Sequence, residues 1–327
     1  MKKKMPFLSV IIPTYNSGEK LLKLIKSIFA SGYKNFEVIV VDDCGTDNSI
    51  ELIKKYPVKI IRLKKNSGQS VARNTGAEAA KSDILVFFDS DVVLKKDVLE
   101  KFAEFFLGPE NQCIVGIYAK EPANKAWFAK YRGLLEFSWY LDTTNFDCFT
   151  PASGAMRRSL FDKIGGFDKK YRHMEENEMG YKIIQICPIV LRNDIQVHHH
   201  FPTFQKCARL YFKRCFVWTR LFLKRKKFDN AATTASVGFG ALAAFFTLFF
   251  LLFAPVTVYA LYLSGLSFLF FLFLNRVTLR FVLKNSGFLF LLYFIATNFI
   301  LMIVVGFSAI FSVLTVPFFG IEERWLK

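Results

Sequence analysis

Two carboxylates that follow a short apolar run are the residues best suited to chemistry in this sequence. The run extends from Ile84 to Phe88, and Asp89 and Asp91 follow it directly. Such a run favours a strand buried on both faces of a sheet, and residues two apart at its end point to the same side. Two carboxylates so placed can share one divalent cation, which in turn can bind a diphosphate. The same Asp-x-Asp pattern also occurs in solvated turns, so neighbouring motifs must decide its meaning.

The elements that would position these carboxylates alternate between strands and helices. Apolar runs predict strands over residues 7–12, 36–41, 58–63 and 83–88. Turn residues and apolar periodicity predict the intervening helices over residues 19–30, 48–55 and 68–80. This alternation predicts an α/β fold with a doubly wound, mostly parallel sheet. Ligands bind such sheets at the carboxyl ends of the strands, where Asp89 and Asp91 are expected.

The common nucleotide-binding fingerprints are missing from this predicted sheet. No G-x-G-x-x-G follows the first strand, and no G-x-x-x-x-G-K-[ST] occurs in the sequence. These absences argue against a dinucleotide-binding Rossmann site and against a P-loop ATPase. The six cysteines show no C-x-x-C spacing, so a reduced domain that faces the cytosol is expected.

Several ordered motifs over about residues 7–200 resemble glycosyltransferase family 2. They are Ser9-Val10-Ile11-Ile12-Pro13-Thr14-Tyr15-Asn16, Val40-Val41-Asp42-Asp43, Gly68-Gln69-Ser70-Val71-Ala72-Arg73-Asn74-Thr75-Gly76, Phe88-Asp89-Ser90-Asp91, Ser153-Gly154-Ala155-Met156-Arg157-Arg158, Gly165-Gly166-Phe167-Asp168 and the Glu175–Glu178 cluster. The resemblance implies a GT-A fold, a nucleoside-diphosphate-sugar donor, a divalent Mg²⁺ or Mn²⁺ ion, and inversion at the anomeric carbon.

The resemblance also implies roles for individual donor-site residues. Four positions match those that hold the nucleoside: Pro13, Tyr15, Asn16 and Asp43. Asp91 matches the direct metal ligand, with Asp89 nearer the ribose and the metal. The residue chemistry agrees, because the Tyr15 ring can stack on a base and either Asp42 or Asp43 can accept a hydrogen bond from a base N–H. A cation held by Asp91 would stabilise the charge that builds on the leaving diphosphate.

Two further motifs could contact the donor or the acceptor. Arg73 lies on the helix after the Gly68 loop, and its guanidinium suits bidentate contact with phosphate, although a surface arginine would give the same pattern. The Ser153-Gly154-Ala155 triplet is small enough for close backbone approach to a sugar, so Gly154 and Ala155 are candidate acceptor-binding residues. Outside this context such a triplet indicates only a turn.

The Glu175–Glu178 cluster is the expected source of a general base. An acceptor hydroxyl must lose its proton during attack, and a carboxylate can accept it. By resemblance, the family's catalytic aspartate falls on Glu176. Because glutamate is one methylene longer than aspartate, Glu175 stays an alternative base. A polyprenyl phosphate is already ionised and needs no base, so a carboxylate here favours a hydroxyl acceptor.

Three consecutive histidines follow an apolar, strand-like segment at Ile195 to Val197. An imidazole could complete a metal or diphosphate site, and similar enzymes carry a histidine near this position. Adjacent residues on a strand point in opposite directions, so His198 and His200 can act together but His199 cannot join them. The sequence therefore assigns His198 to the metal site.

The C-terminal third has the composition of membrane segments. Residues 230–275 and 285–320 contain no charged residue, and one span needs about 20 apolar residues. The first run is long enough for two crossings with a break near Ala254-Pro255, and the second provides one span or one span plus an interfacial piece. The net charge of +17 is concentrated here, since residues 201–327 carry 14 Lys/Arg and 3 Asp/Glu. This placement favours anionic lipid headgroups over nucleic acid as partners.

A basic segment, residues 204–227, joins the two parts and carries nine Lys/Arg and no acid. An apolar row that includes Cys215 opposes a basic row that includes Arg220, which predicts an amphipathic helix in the membrane interface. We therefore expect three parts: a cytosolic GT-A catalytic domain over 1–202, this interfacial helix within 203–230, and a membrane domain with about three transmembrane helices over 231–327.

These features predict a metal-dependent, inverting glycosyltransferase bound to a bacterial-type inner membrane. Its expected acceptor is a hydroxyl of a lipid or lipid-linked molecule at the cytoplasmic face, in cell-envelope glycan or glycolipid synthesis. Two alternatives stay open: a non-catalytic membrane scaffold that binds nucleotide sugars, and a polyprenyl-phosphate glycosyltransferase. A channel or proton relay is disfavoured, because the uncharged runs contain no acidic residue. No residue pattern specifies the sugar, the nucleotide base or the oligomeric state.

Overall fold

A computed structural model describes residues 5–141, 143, 146–171, 174–226 and 234–319 of the chain. These described residues form two compact units: those up to 125 and from 146 to 201 belong to the first, and those from 126 to 143 and from 202 onwards belong to the second. The sequence-based boundaries place 126–143 in the catalytic domain, whereas its packing places it with the C-terminal helices. The boundary at 230/231, Lys227 of the basic segment and the C-terminal residues from 320 onwards lie outside the described residues.

The first unit is an α/β unit, and its described residues contain one eight-stranded sheet. The strands are β1 Leu8–Thr14, β2 Phe36–Asp42, β3 Lys59–Arg62, β4 Ile84–Phe87, β5 Val92–Leu94, β6 Cys113–Tyr118, β7 Gly154–Arg157 and β8 Val190–His199. The helices are α1 Glu19–Phe29, α2 Ser49–Ile53, α3 Gln69–Ala79, α4 Val98–Phe105, α6 Arg158–Ile164 and α7 Glu175–Ile184. The predicted alternation of strands and helices over the first 90 residues is confirmed.

The sheet order is β3-β2-β1-β4-β7-β6-β8-β5, and its two halves differ in strand direction. The first four strands are parallel, as predicted. Beyond them β7 runs antiparallel to β4 and to β6, and β5 runs antiparallel to β8, so the whole sheet is mixed. Because β7 runs against β4, it begins where β4 ends, with Gly154 opposite Phe87. Several segments distant in sequence therefore meet at the carboxyl end of β4.

The central strands are buried, which explains their unbroken apolar sequences. All seven residues of β1 and all four of β4 are buried. On one side of the sheet, α1 and α4 pack through Leu24, Ile25 and Phe102. Burial of this apolar area is the main stabilising term for the sheet, and it leaves the strand ends as the polar edge of the unit.

The part of the second unit that the structure describes consists of five helices. They are α5 Trp127–Ser138, α8 Phe204–Arg225, α9 Ala235–Phe253, α10 Val258–Leu274 and α11 Arg276–Phe319. Helix α9 ends and α10 begins on either side of the predicted break at Ala254-Pro255. Gly287 has a φ of 78° and divides α11 into helical segments over 276–286 and 288–319.

The apolar helices have the length and composition of membrane spans. Ala235–Phe253 and Arg276–Phe318 are each long and apolar enough to cross a membrane, and Val258–Leu274 is a shorter apolar helix. At 1.5 Å per residue, the 17 residues of α10 extend about 26 Å, close to the thickness of the hydrocarbon core. Three apolar segments are thus available, and the number of crossings stays a prediction.

Helix α8 packs along the 288–319 segment of α11 in the second unit. Ser308 Oγ donates to Phe212 O at 2.6 Å, and Ser312 Oγ donates to Phe216 O at 2.9 Å. Arg220 continues this row, because it follows Phe216 by four residues; it is buried and donates to Thr315 Oγ1 at 2.9 Å. The sequence places Arg220 in the basic row of this helix, but the structure buries it against α11. The interfacial location of the helix stays a prediction.

Candidate active site

The predicted Asp-x-Asp motif forms a loop between β4 and β5 that neighbouring segments hold in place. Ser90 Oγ lies 2.7 Å from Ser17 Oγ in the loop after β1. The backbone carbonyl of Asp91 accepts a hydrogen bond from the His200 N–H at 2.8 Å. Both carboxylates keep part of their surface exposed, 29% for Asp89 and 32% for Asp91. The loop is therefore fixed by its backbone and Ser90, and its acids remain accessible.

His199 is the histidine that contacts this motif. Its Nε2 lies 3.3 Å from Asp91 Oδ1, whereas His198 Nδ1 lies 2.7 Å from the backbone carbonyl of Glu121. The reason is register: β8 pairs antiparallel with β5 so that His199 stands opposite Val92, immediately after Asp91. The structure does not support the assignment of His198 to the metal site, because strand alternation turns that side chain away when His199 faces Asp91.

The negatively charged carboxylate of Asp91 is suited to bind a cation. Burial by itself would raise its pKa, but His199 and Lys20 bring positive charge close to the carboxylate and lower the pKa below its ordinary value. A carboxylate that is ionised over the physiological range suits a hard divalent cation.

Asp91 and His199 fit a cation that binds together with a diphosphate. Among the described residues no three His, Cys, Asp or Glu side chains converge into a closed metal site. A cation that bridges phosphates needs only one or two protein ligands, because phosphate oxygens and water complete its shell. Carboxylate and imidazole suit Mn²⁺ or Mg²⁺ in such an open arrangement. Asp89 is a less direct candidate, since its Oδ1 already accepts a hydrogen bond from Arg73 Nη2 at 2.6 Å.

Arg73 is buried at the centre of an ion network. Its side chain is 1% exposed, Nη2 donates to Asp89, and Nη1 donates to Glu175 Oε1 at 3.0 Å. Gln69 Nε2 donates to the same Glu175 oxygen. The ring of Phe167 lies 5.1 Å from the guanidinium carbon. A donor phosphate therefore has no access to Arg73 in this structure, and the predicted bidentate phosphate contact is not supported.

Three polar residues of the predicted nucleoside site are engaged by the protein itself. Asp43 accepts from the backbone N–H groups of Ser67 and Gly68, at 2.7 and 2.8 Å, and so fixes the loop before α3. Asn16 Oδ1 accepts from Thr46 N at 2.7 Å. Asp42 Oδ1 likewise accepts from a backbone N–H, that of Gly45, at 2.8 Å. These contacts shape the edge of the sheet.

Tyr15 provides an accessible aromatic ring at this edge. Its ring is 50% exposed and directly follows β1, in which Pro13 is buried. An exposed aromatic ring beside fixed loops can provide a stacking surface for a base. Direct contact of Pro13, Asn16, Asp42 and Asp43 with the nucleoside stays a prediction.

The two candidate bases begin α7 but have different environments. Glu175 is buried against Arg73 and Gln69, whereas Glu176 is half-buried in the same first turn. Burial and the negative charge of Glu176 raise the pKa of Glu175 to about 8, although Arg73 opposes the shift. The N-terminal position favours negative charge on both residues. A base must reach the acceptor, so its accessibility favours Glu176.

Gly154 and Ala155 are fully buried in β7, and the structure does not support their predicted contact with an acceptor. A Cβ at Gly154 would lie 2.7 Å from Thr150 O and 2.8 Å from the Phe149 ring. The small residue is required by packing within the protein, which explains the motif without a ligand. Ala155 lies between Val86 of β4 and Ile114 of β6.

Sequence reasoning missed His199, Gln69 and the pairing of Arg73 with Glu175. The histidine run contained the first of these, but choosing among its members required the β5–β8 register. Gln69 stands one helical turn before Arg73, and this four-residue spacing is a weak sequence signal that the two side chains interact. In the structure Gln69 Oε1 lies 3.4 Å from Arg73 Nη2.

Comparisons with known proteins agree with this geometry. Residues 9–165 match the sequence model of Glycosyl transferase family 2. A putative teichuronic acid biosynthesis glycosyltransferase, TuaG of Bacillus subtilis (strain 168), is 36% identical over 113 residues, which is 33% of this chain and 44% of TuaG. The poly(ribitol-phosphate) beta-N-acetylglucosaminyltransferase TarP of Staphylococcus aureus (strain N315) is 40% identical over 124 residues, or 36% of this chain and 38% of TarP. The chain thus spans less than half the length of these relatives.

A solved structure with the same fold covers nearly the whole chain. The mannosyltransferase PcManGT from Pyrobaculum calidifontis, in complex with GDP-Man and Mn²⁺, superposes with a TM-score of 0.58 at 16% identity, covering 97% of this chain and 88% of that one. This likeness concerns the fold and supports the GT-A assignment. The sheet topology, the Asp89–Asp91 loop and the match over residues 9–165 together identify a glycosyltransferase family 2 domain in this chain.

Proposed function

We propose that this protein is a metal-dependent, inverting glycosyltransferase that moves a sugar from a nucleoside-diphosphate-sugar to an acceptor hydroxyl. The contact between Asp91 and His199, 3.3 Å apart at the carboxyl edge of the sheet, carries the proposal. It offers one carboxylate and one imidazole to a cation, close to the loop that follows β1. The exposed ring of Tyr15 lies in that loop and would stack on the base of the donor.

The chain's own residues would divide the reaction as follows. Asp43 and Asn16 hold loops on which the nucleoside would rest. Asp91 and His199 would hold a divalent cation, which would supply positive charge for the leaving diphosphate. Glu176 accepts the proton of the acceptor hydroxyl as its oxygen attacks the anomeric carbon. The bond from that carbon to the diphosphate oxygen breaks on the opposite face, so the configuration inverts and a nucleoside diphosphate leaves.

The relatives support an acceptor from cell-envelope glycan synthesis. TuaG is named for teichuronic acid biosynthesis, and TarP for N-acetylglucosaminyl transfer to poly(ribitol-phosphate). We propose that the acceptor is a hydroxyl of such a glycan or of its lipid-linked precursor. The half-buried carboxylate of Glu176 favours this over a polyprenyl phosphate, which would need no base.

We further propose that the second unit is an integral membrane domain with a cytosolic catalytic unit. Helices α9 and α10 and the 288–319 segment of α11 would be its spans, with outward faces rich in exposed Leu and Phe. The 276–286 segment carries Arg276, Arg280 and Lys284 at four-residue spacing, and all three are exposed. This basic row would contact anionic headgroups at the cytoplasmic face.

The test is a donor screen on the detergent-solubilised full chain with Mn²⁺ or Mg²⁺ and a membrane lipid extract, following nucleoside diphosphate release. We expect release from one donor, stimulation by the extract, and loss on chelation. Asp91→Asn should lower turnover by about 100-fold or more, because it removes the charge that holds the cation. Asp97→Asn is the matched control, since Asp97 is half-exposed and pairs with Lys101. Donor binding without release under every condition would instead indicate the scaffold alternative.

A further inference from the structure

The Arg73 guanidinium connects the Asp89–Asp91 loop to the first turn of α7. One nitrogen donates to Asp89 in the loop that carries the metal-binding Asp91, and another donates to Glu175, the residue beside the proposed base. Arg73 and Glu175 are 102 residues apart in the chain. Both side chains are about 1% exposed, so neither is available to donor or acceptor.

The surroundings of Arg73 hold it in one place. The Phe167 ring lies 5.1 Å from the guanidinium carbon, and Phe167 is itself tied to α3. Asn74 Nδ2 donates to Phe167 O at 2.8 Å, and Phe167 N donates to Asn74 Oδ1 at 2.9 Å. Gln69, also on α3, donates to the Glu175 oxygen that Arg73 contacts. A buried guanidinium whose two terminal nitrogens both donate to fixed carboxylates defines the distance between the elements that carry them.

The consequence concerns Glu176. It follows Glu175 in the first turn of α7, so a shift of Glu175 moves Glu176 with the helix. In the middle of α7, Gly180 packs against the backbone of residues 147–148 so closely that a Cβ would lie 2.7 Å from Cys148 Cα. The helix is thus fixed at its start by Arg73 and at its middle by backbone contact.

We propose that Arg73 and Glu175 are positioning residues, which set the distance between the Asp89–Asp91 loop and the Glu176 carboxylate without touching either substrate. The proposal rests on the proposed function, and it assigns the two glutamates different tasks. Glu176 exchanges a proton with the acceptor, while Glu175 needs only an oxygen that accepts from Arg73 and Gln69. A misplacement of about 1 Å at a reacting group costs about 100-fold in rate, so such a distance matters for turnover.

The kinetic test separates positioning from chemistry through matched substitutions. Glu175→Met removes the accepting oxygen, whereas Glu175→Gln keeps it. We expect Glu175→Met and Arg73→Met each to lower kcat by at least about tenfold, while the donor KM and nucleoside diphosphate affinity change less than about threefold. Glu175→Gln should stay within about threefold of the unsubstituted protein, whereas Glu176→Gln should lose at least about tenfold in kcat. Arg192→Met, at an exposed pair with Asp194, is the arginine control.

Three outcomes would overturn the proposal. Loss in Glu175→Gln equal to that in Glu175→Met would make Glu175 the base. A loss of nucleoside diphosphate affinity of about tenfold in Arg73→Met would identify Arg73 as a phosphate ligand. That loss is about the size expected for one charged contact. Full additivity in the Arg73→Met, Glu175→Met double variant would show that the two residues act independently.

Amide hydrogen exchange on the full chain tests the coupling without any turnover. Arg73→Met should increase exchange in residues 175–184 and leave that of α1 unchanged, and the Glu175 variants provide the same comparison if Arg73→Met does not fold. Unchanged exchange in α7 would contradict the proposal. If the unsubstituted protein transfers no sugar from any donor, the proposed function fails, and the exchange result still decides whether Arg73 positions α7.

Discussion

At the residue scale, the site depends on which polar groups stay accessible after the protein has made its own hydrogen bonds. Asp43 uses both carboxylate oxygens to hold the Ser67–Gly68 backbone, and Asn16 holds Thr46. Asp91 and Tyr15, in contrast, keep about a third and a half of their surfaces exposed. Similar residue types therefore serve as framework in one position and as candidate ligand contacts in another.

Glu175 should make stability depend on pH. Its pKa in the folded protein is raised to about 8, so the folded state binds a proton that the unfolded chain has released by about pH 5. This contribution to stability is fully present below about pH 4 and is lost as the pH rises towards 8. We expect Glu175→Gln to remove that loss, because the amide cannot ionise. The melting temperatures of both proteins, measured from pH 5 to 8, test this expectation. If both melting temperatures change with pH in the same way, Glu175 is not the group responsible.

At the element scale, the register of β8 and the position of α7 determine the site. Strand pairing places His199 opposite Val92 and so brings it to Asp91, while its neighbours point elsewhere. Helix α7 presents Glu175 and Glu176 in its first turn, where the helix dipole favours carboxylates. A change in either element would therefore move several functional groups together.

Gly180→Ala should disturb α7 more than the loss of any one polar contact of that helix. The added Cβ would collide with the backbone at Asp147 O and Cys148, and a backbone neighbour cannot rotate away. We expect a lower melting temperature together with a reduced kcat, because the helix that carries Glu176 must shift. Gly32→Ala is the matched control, since a Cβ there meets no atom within 4 Å. Equal melting temperatures for the two variants would show that α7 accommodates the methyl group.

At the scale of the whole molecule, charge and apolar surface are separated along the chain. The second unit contains the apolar helices α9 and α10, and the exposed basic row of the 276–286 segment lies between two uncharged stretches. Helix α5, although it lies between β6 and β7 in the sequence, packs on that segment: Ser138 Oγ lies 3.1 Å from Thr278 Oγ1, and Phe137 stacks on Phe281. The second unit is thus built from two separate parts of the chain.

Removing the basic row should weaken binding of anionic lipid. We expect the combined variant Arg276→Gln, Arg280→Gln, Lys284→Gln to bind a dispersed anionic phospholipid at least about tenfold more weakly, because each cation near a charged surface contributes to binding. Titration of the detergent-solubilised chain, followed by intrinsic fluorescence at low and high salt, measures this. Removing the same charge from the first unit, at Lys54, Lys55 and Lys59, is the control, and equal losses would show that the effect reflects net charge alone.

The sequence by itself determined the class of fold, the position of the apolar helices and the position of the Asp89–Asp91 motif at the end of the fourth strand. These features depend on local patterns: runs of apolar residues, turn residues between them, and acids at strand ends. The first four strands and the break between α9 and α10 follow from such patterns within a few residues.

Only the tertiary structure decided which members of each motif face the site. The choice of His199 depends on pairing with a strand about 100 residues earlier, and the burial of Arg73 depends on Glu175, 102 residues later. The closed environment of Gly154 depends on Phe149 and Thr150, and the membership of residues 126–143 in the second unit depends on α11. Register and burial are set by partners distant in the chain, and a local pattern carries no information about which partner a residue will meet.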